Sequence, residues 1–97
     1  DNDDLEEVDM HAVLFYVDMK DGREADQQPE LEQLIEFVKT VPGFVRGTWA
    51  TDGKRGVSLV LMESEEAARA MAANASTPPE AAVSFRSADV LEVVGEA

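Results

Sequence analysis

Two stretches of this sequence have no face that water would tolerate. In HAVLFYVDM, His11 to Met19, the residues Val13, Phe15 and Val17 alternate with Ala12, Leu14 and Tyr16. In VSLVLME, Val57 to Glu63, the residues Val57, Leu59 and Leu61 alternate with Val60 and Met62. Both are rich in β-branched or other large apolar residues, so each reads as a strand. Successive side chains of a strand point to opposite faces. A sheet built on these two is therefore apolar on both sides, whereas an antiparallel sheet in a two-layer domain needs only one covered face. Any fold of this chain has to cover both.

The remaining elements follow from spacing and punctuation. Lys20 to Gln28 reads as a polar connection, and Pro29 suits the first turn of a helix. Leu31, Leu34, Ile35, Val38 and Val41 recur at helical spacing, so a helix is expected over 29–41, stopped by Pro42-Gly43. FVRGTWAT, Phe44 to Thr51, reads as a strand. Asp52-Gly53 is a hairpin signal, with Lys54, Arg55 and Gly56 completing the loop. Ser64 is placed as an N-cap, with Glu65 and Glu66 in the first turn where the helix dipole favours acids. Ala67, Ala68, Met71, Ala72 and Ala75 then form a narrow stripe of mostly small residues, ended by Asn74 to Pro79. Val83 to Phe85 begins a strand, and Asp89 to Val94 is one.

The order β-α-β-β-α-β is the ferredoxin-like pattern. The fold class expected is α+β, with one four-stranded antiparallel sheet and two helices on one face. That leaves the second face bare. About six extra large side chains left wet, at roughly 1.5–3 kcal/mol each, would rival the stability of a whole domain. A second sheet from an identical subunit is the simplest remedy, so the chain is expected to pair sheet to sheet into a homodimer.

The 97 residues fit one domain. The net charge is −13, and DNDDLEEVD at residues 1–9 holds six acids and no base, leaving −7 on the rest. Both parts repel phosphate backbones, so no nucleic-acid partner is expected. Residues 1–9 read as an acidic leader or tail, and 10–97 as the domain. There is no cysteine and one histidine, which excludes disulfides, thiolate sites and multi-histidine zinc. No apolar run is long enough for a membrane span, and the N-terminus lacks a signal-peptide pattern. A cytoplasmic location, without membrane association, is the expectation.

The run VPGFVRGTWATDGKRGVSLVLMESEEAARAMAA resembles the antibiotic-biosynthesis-monooxygenase-like proteins of the dimeric α+β barrel superfamily. Their pattern passes from a helix end through Pro-Gly-Phe, a strand with an aromatic near Trp49 and a glycine-containing hairpin to a strand ending in Glu-Ser-Glu-Glu-Ala-Ala-Arg. Met10-His11-Ala12-Val13 also looks like the start of small actinobacterial-type members. The resemblance spans about residues 10–95. It implies a dimeric α+β barrel binding a small apolar or aromatic molecule. Some members oxidise phenolic or quinol-type substrates with O₂ and neither cofactor nor metal, and that is the enzymatic reading. A non-catalytic ligand-binding or structural dimerisation module is the alternative. Other members degrade haem with a helix histidine as iron ligand. Here neither helix has one, the second offers only Asn74 near its end, and haem degradation is not expected.

Six residues are candidates for a site. Trp49 can stack on an aromatic ligand, but reads first as packing in the core or the dimer seam; Arg46 and Thr48 on the same strand point the other way. His11 is the only side chain with an ordinary pKa near neutrality and so the natural general base, yet its place at a strand's edge suits a structural role. Asn74 can bond a ligand or cap its helix. Tyr16 can put a hydroxyl into a cavity or sit as an amphipathic edge residue. Arg46 and Arg86 can hold a carboxylate or phenolate, or serve ion pairs. Glu63, Glu65 and Glu66 fit capping better than a metal, and Met19, Met62 and Met71 read as core fillers.

Overall fold

The computed structural model describes residues 10–96. The acidic leader lies outside them, as does Ala97. Six elements appear in the expected order: β1 His11–Met19, α1 Glu24–Val38, β2 Phe44–Thr51, β3 Arg55–Met62, α2 Glu65–Ala73 and β4 Val83–Glu92. The four strands form one antiparallel sheet in the order β2-β3-β1-β4, so β1 is central and pairs with both β3 and β4. Both helices lie on one face. Val38 of α1 and Ala68 of α2 share a core with Val13, Val60 and Met62. The expected ferredoxin-like α+β fold is the one observed.

The local signals that were strongest are realised in detail. The Ser64 hydroxyl accepts a hydrogen bond from the Ala67 amide at 3.1 Å, capping α2. The Asp52 carboxylate accepts from the amides of Lys54 and Arg55, both at 2.9 Å, and Gly53 takes φ +94°, which a side chain would resist. These bonds hold the Asp52 carboxyl below its ordinary value, the Arg55 amide contributing most and the Lys54 amide next. Gly43 has φ +87°, and a Cβ there would stand 2.8 Å from the Cβ of Ala67, so the turn after α1 is pressed against α2.

Several boundaries differ from the sequence reading. Helix α1 starts at Glu24, not at Pro29, and ends at Val38, before Val41; Pro29 is inside it. Proline removes the bond to the Ala25 carbonyl. Side chains reinforce the first turns instead: Arg23 Nε donates to Asp26 at 2.8 Å and Nη2 to Glu30 at 3.5 Å. The other oxygen of Glu30 accepts from the buried Ala82 amide at 2.9 Å, tying α1 to the entrance of β4. Strand β3 begins at Arg55, so Arg55 and Gly56 belong to the ladder rather than the loop. β4 is one strand, bent by a bulge: Ser87 pairs with Tyr16 and Phe85 with Val17, leaving Arg86 as the extra residue. A second bulge lies at Val45. No helix among the described residues is long and apolar enough to cross a membrane.

Candidate functional site

The sheet has two surfaces, and the candidate residues divide between them. On the helix side lie His11, Val13, Phe15 and Val17 of β1 and, across the ladders, Met62, Val60, Ser58, Trp49, Val90 and Ala88. On the open side lie Ala12, Leu14, Tyr16 and Asp18, with Leu61, Leu59, Val57 and Arg55, then Arg46 and Thr48 on β2 and Leu91, Asp89 and Ser87 on β4.

Burial on the helix side is uneven. Helix α2 carries small residues and lies close on β1, β3 and β4, and beneath it Val13, Val60 and Met62 are fully buried. Helix α1 approaches the strands much less closely. The residues further along the sheet, Phe15, Val17 and Trp49, are only half-buried. Of the five apolar positions expected to pack from α1 and the turn after it, Val38 alone is buried, while Leu34 is 45% and its neighbour Phe37 65% exposed. Its apolar stripe of leucine, isoleucine and valine is bulkier than the alanines of α2. Phe15, Val17 and Trp49 thus form a less completely covered apolar strip, with Phe15 and Trp49 packed against the edge of the core. The Trp49 ring lies over Gly47, where a Cβ would come within 2.7 Å of Cη2.

His11 is on this same side but at the sealed end, 8% exposed, with Nε2 4.0 Å from Glu65 Oε1. Glu65 is in turn held below its ordinary value, chiefly by its hydrogen bond from the Arg69 guanidinium. Asn74 closes α2, its side-chain amide donating to the Ala70 carbonyl at 2.9 Å.

The open side is apolar at its centre. Leu59 is 41% and Leu91 49% exposed, with Tyr16 and Val57 close behind. One end is partly occupied by the chain itself. The segment after β4 hydrogen-bonds back to Met10 through the Val93 amide, and its Glu96 meets Arg46 on the far edge strand at 3.2 Å. It thus crosses the end of the sheet at which Ala12 and Leu61 are buried. At the other end, beside the hairpin, a depression of about 310 Å³ is lined by Tyr16, Val17, Arg55, Gly56, Arg86 and Ser87. Arg86 Nη1 donates to Asp18 at 3.2 and 3.4 Å.

The structure therefore brings Tyr16 and Arg86 together and keeps them apart from Trp49, His11, Asn74 and Arg46. Arg55 and Ser87 complete the depression and were not anticipated. A strand boundary two residues earlier would have put Arg55 on the Tyr16 face by alternation alone. A second depression, about 350 Å³, lies among Lys20, Ser76, Thr77, Pro78, Pro79, Ser84 and Phe85. Two of its polar groups are engaged within the chain: Lys20 Nζ donates to the Pro79 carbonyl at 2.7 Å, and the Thr77 hydroxyl accepts from the Phe85 amide at 3.1 Å. Among the described residues no group of three or more His, Cys, Asp or Glu side chains is placed to hold a metal ion.

No protein-family model matches the chain, and no match was found among curated proteins. Two solved structures share its fold, both of the haem-degrading protein MhuD (Rv3592) of Mycobacterium tuberculosis. One, with two haems bound in its active site, superposes with a TM-score of 0.66 at 20% identity, covering 90% of this chain and 98% of that one. The other, haem-free with cleaved protein, gives 0.62 at 22% identity, covering 92% and 97%. The likeness extends over nearly the whole length of both chains and is a likeness of fold. It agrees with the fold that the resemblance to antibiotic-biosynthesis-monooxygenase-like proteins implied.

Proposed function

We propose that this chain is a homodimeric domain that binds a flat apolar or aromatic molecule in the strip between α1 and the sheet. One observation carries the reading: Val13, Val60 and Met62 beneath α2 are fully buried, while Phe15, Val17 and Trp49 on the same side of the sheet are only partly covered. Apolar surface of that kind, with an indole beside it, suits a planar guest. The homodimer part rests on the open face. Leu59, Leu91 and Val57 there, each about two-fifths to one-half exposed, represent on the order of 2–4 kcal/mol of unrealised burial per protomer.

A titration with an uncharged anthrone, read through Trp49 emission, tests the binding. Saturable quenching is expected, weakened in Ile35→Ser. The absence of saturable quenching in intact dimer would end the proposal. For assembly, Leu59→Asp places a charge in the seam and is expected to give a folded monomer by light scattering. A wild-type protein that is already monomeric at micromolar concentration would remove the dimer.

The second reading is cofactor-free oxidation of a phenolic or quinol-type substrate by O₂, favoured by the family resemblance. It needs a base that favours the substrate anion. His11 is the candidate, and its place at the sealed end, beside Glu65, weighs against it. Oxygen uptake with a panel of anthrones and quinols decides: no uptake above the protein-free rate removes this reading for the panel, and unchanged turnover in His11→Ala removes His11 from it. Haem, which MhuD binds, fits this chain poorly. Haem iron takes histidine, cysteine, methionine or tyrosine as axial ligand. The sole histidine here is buried at the sealed end, there is no cysteine, and Tyr16 lies on the opposite face of the sheet from Trp49, so only methionine is left to face the strip. Haemin added to the protein is expected to show no histidine-ligated Soret band.

A further inference from the structure

On the other side of the sheet from the strip proposed above, and independently of it, we propose a second binding site. The depression at Tyr16, Arg55, Arg86 and Ser87 binds an organic anion, a carboxylate or phenolate on a flat apolar body. Three features lead there. First, this is an acidic chain, with 21 acids against eight Lys and Arg, yet two of its arginines flank one depression of about 310 Å³. Second, both are there through specific local structure. The β4 bulge makes Arg86 the residue without a ladder partner, and the Asp18 carboxylate fixes its guanidinium from one side. Arg55 is the first residue of β3 and lies directly across from Asp18.

Third, the arginine charges are incompletely met. Asp52 spends its carboxylate on the Lys54 and Arg55 amides and reaches the Arg55 guanidinium only at 3.9 Å. Asp18 engages Arg86 through Nη1 alone. Guanidinium groups bind carboxylates through paired N–H donors, so Arg55, three-quarters exposed, has donors to offer. The Tyr16 ring gives the anion's body an apolar surface, and the Tyr16 and Ser87 hydroxyls add donors at the rim. The position is at the hairpin end of the open face, opposite the end crossed by the C-terminal segment.

The test uses 2-naphthoate as probe and 2-naphthalenemethanol as its uncharged counterpart, with binding followed by equilibrium dialysis and by amide and side-chain NMR shifts. The expected result is saturable naphthoate binding that moves the resonances of Tyr16, Arg55 and Ser87. Arg55→Gln and Arg86→Gln should each weaken it about tenfold or more, and the alcohol should bind at least tenfold less tightly. Arg69→Gln, on the outer side of α2, should leave it unchanged. Equal binding of acid and alcohol, or full naphthoate affinity in Arg55→Gln, overturns the proposal. So does an Arg55→Gln variant that weakens the dimer without weakening naphthoate, because the cation would then serve a second copy. Shifts confined to Trp49 and Phe15 would place the probe in the strip under α1 and also count against this site, while leaving the strip itself supported.

Discussion

Adding one methyl group to Gly47 tests how Trp49 is held. A Cβ at Gly47 would lie 2.7 Å from Cη2 and 2.9 Å from Cζ3 of the indole. That is about 1 Å inside the usual carbon–carbon contact of about 3.5–4.0 Å. Gly47 is fixed in the ladder opposite Val60, which is itself buried in the core, so the backbone has little room to yield. The ring must move instead, and it can, because its outer side is not sealed. Overpacking of this kind costs about 1–3 kcal/mol. Replacing glycine by alanine also narrows the unfolded ensemble, which stabilises by about 0.4–1 kcal/mol. Overpacking wins, and Gly47→Ala should destabilise by about 0.5–2 kcal/mol, or about 4–8 °C in Tm per kcal/mol for a domain of this size. Trp49 is the only tryptophan, so its emission should shift to the red as the ring tilts toward solvent. In a double-mutant cycle, Gly47→Ala should be far less costly on a Trp49→Leu background. An alanine variant that is as stable as wild type, with unchanged emission, would mean the ring does not lie over Gly47, and the floor of the proposed strip would have to be redrawn.

Further outcomes follow from the same packing. Met62 is fully buried under α2, and Met62→Ala should cost about 2–5 kcal/mol in urea denaturation. Ser64→Ala removes the side-chain acceptor from the first turn of α2 and should cost about 1 kcal/mol, with faster hydrogen exchange at Ala67. Asp52 has a carboxyl held below its ordinary value of 3.8 by the amides it accepts from. Its contribution is therefore present above that value and is lost as pH falls through the lower folded value. The Lys54 and Arg55 amide shifts should titrate with a midpoint below 3.8, and Asp52→Ala should loosen the hairpin already at neutral pH.

What was legible in the sequence was what is local. Ser64, Asp52-Gly53 and the alternation of β1 each fix their neighbours within a few residues, and together they dictate the element order. The two-faced apolarity of β1 and β3 is also local, so the need to cover the open side could be read directly. The start of α1 could not. Proline at 29 is a signal for a first turn, and it was outweighed by Arg23 bridging Asp26 and Glu30 and by Glu30 reaching the Ala82 amide, a contact spanning 52 positions. The placing of Tyr16 and Arg86 at one depression was equally hidden. It depends on the register of β1 against β4 and on the single extra residue at Arg86, and neither leaves a mark in the spacing of either strand. Likewise, Leu34 and Val38 look equivalent on a helical wheel, yet one is exposed and the other buried.

That last difference has a cause in the composition of the two helices. The apolar stripe of α2 is mostly alanine, so its backbone comes close to β1, β3 and β4, and the side chains beneath it are excluded from water. The stripe of α1 is leucine, isoleucine and valine, and side chains of that size set a helix further from a sheet. The two helices cannot equalise their heights independently, because the turn at Gly43 is pressed on Ala67 and the Glu30 carboxylate is bound to the Ala82 amide. The sheet beneath α2 is sealed, and the residues beside α1 are only partly buried. The lesser cover of the proposed strip thus follows from the choice of small against large residues. Exchanging that choice offers a direct check: Ala72→Leu should lift α2 and destabilise the sealed half by about 1–3 kcal/mol through overpacking. A variant as stable as wild type would show that helix height is set elsewhere.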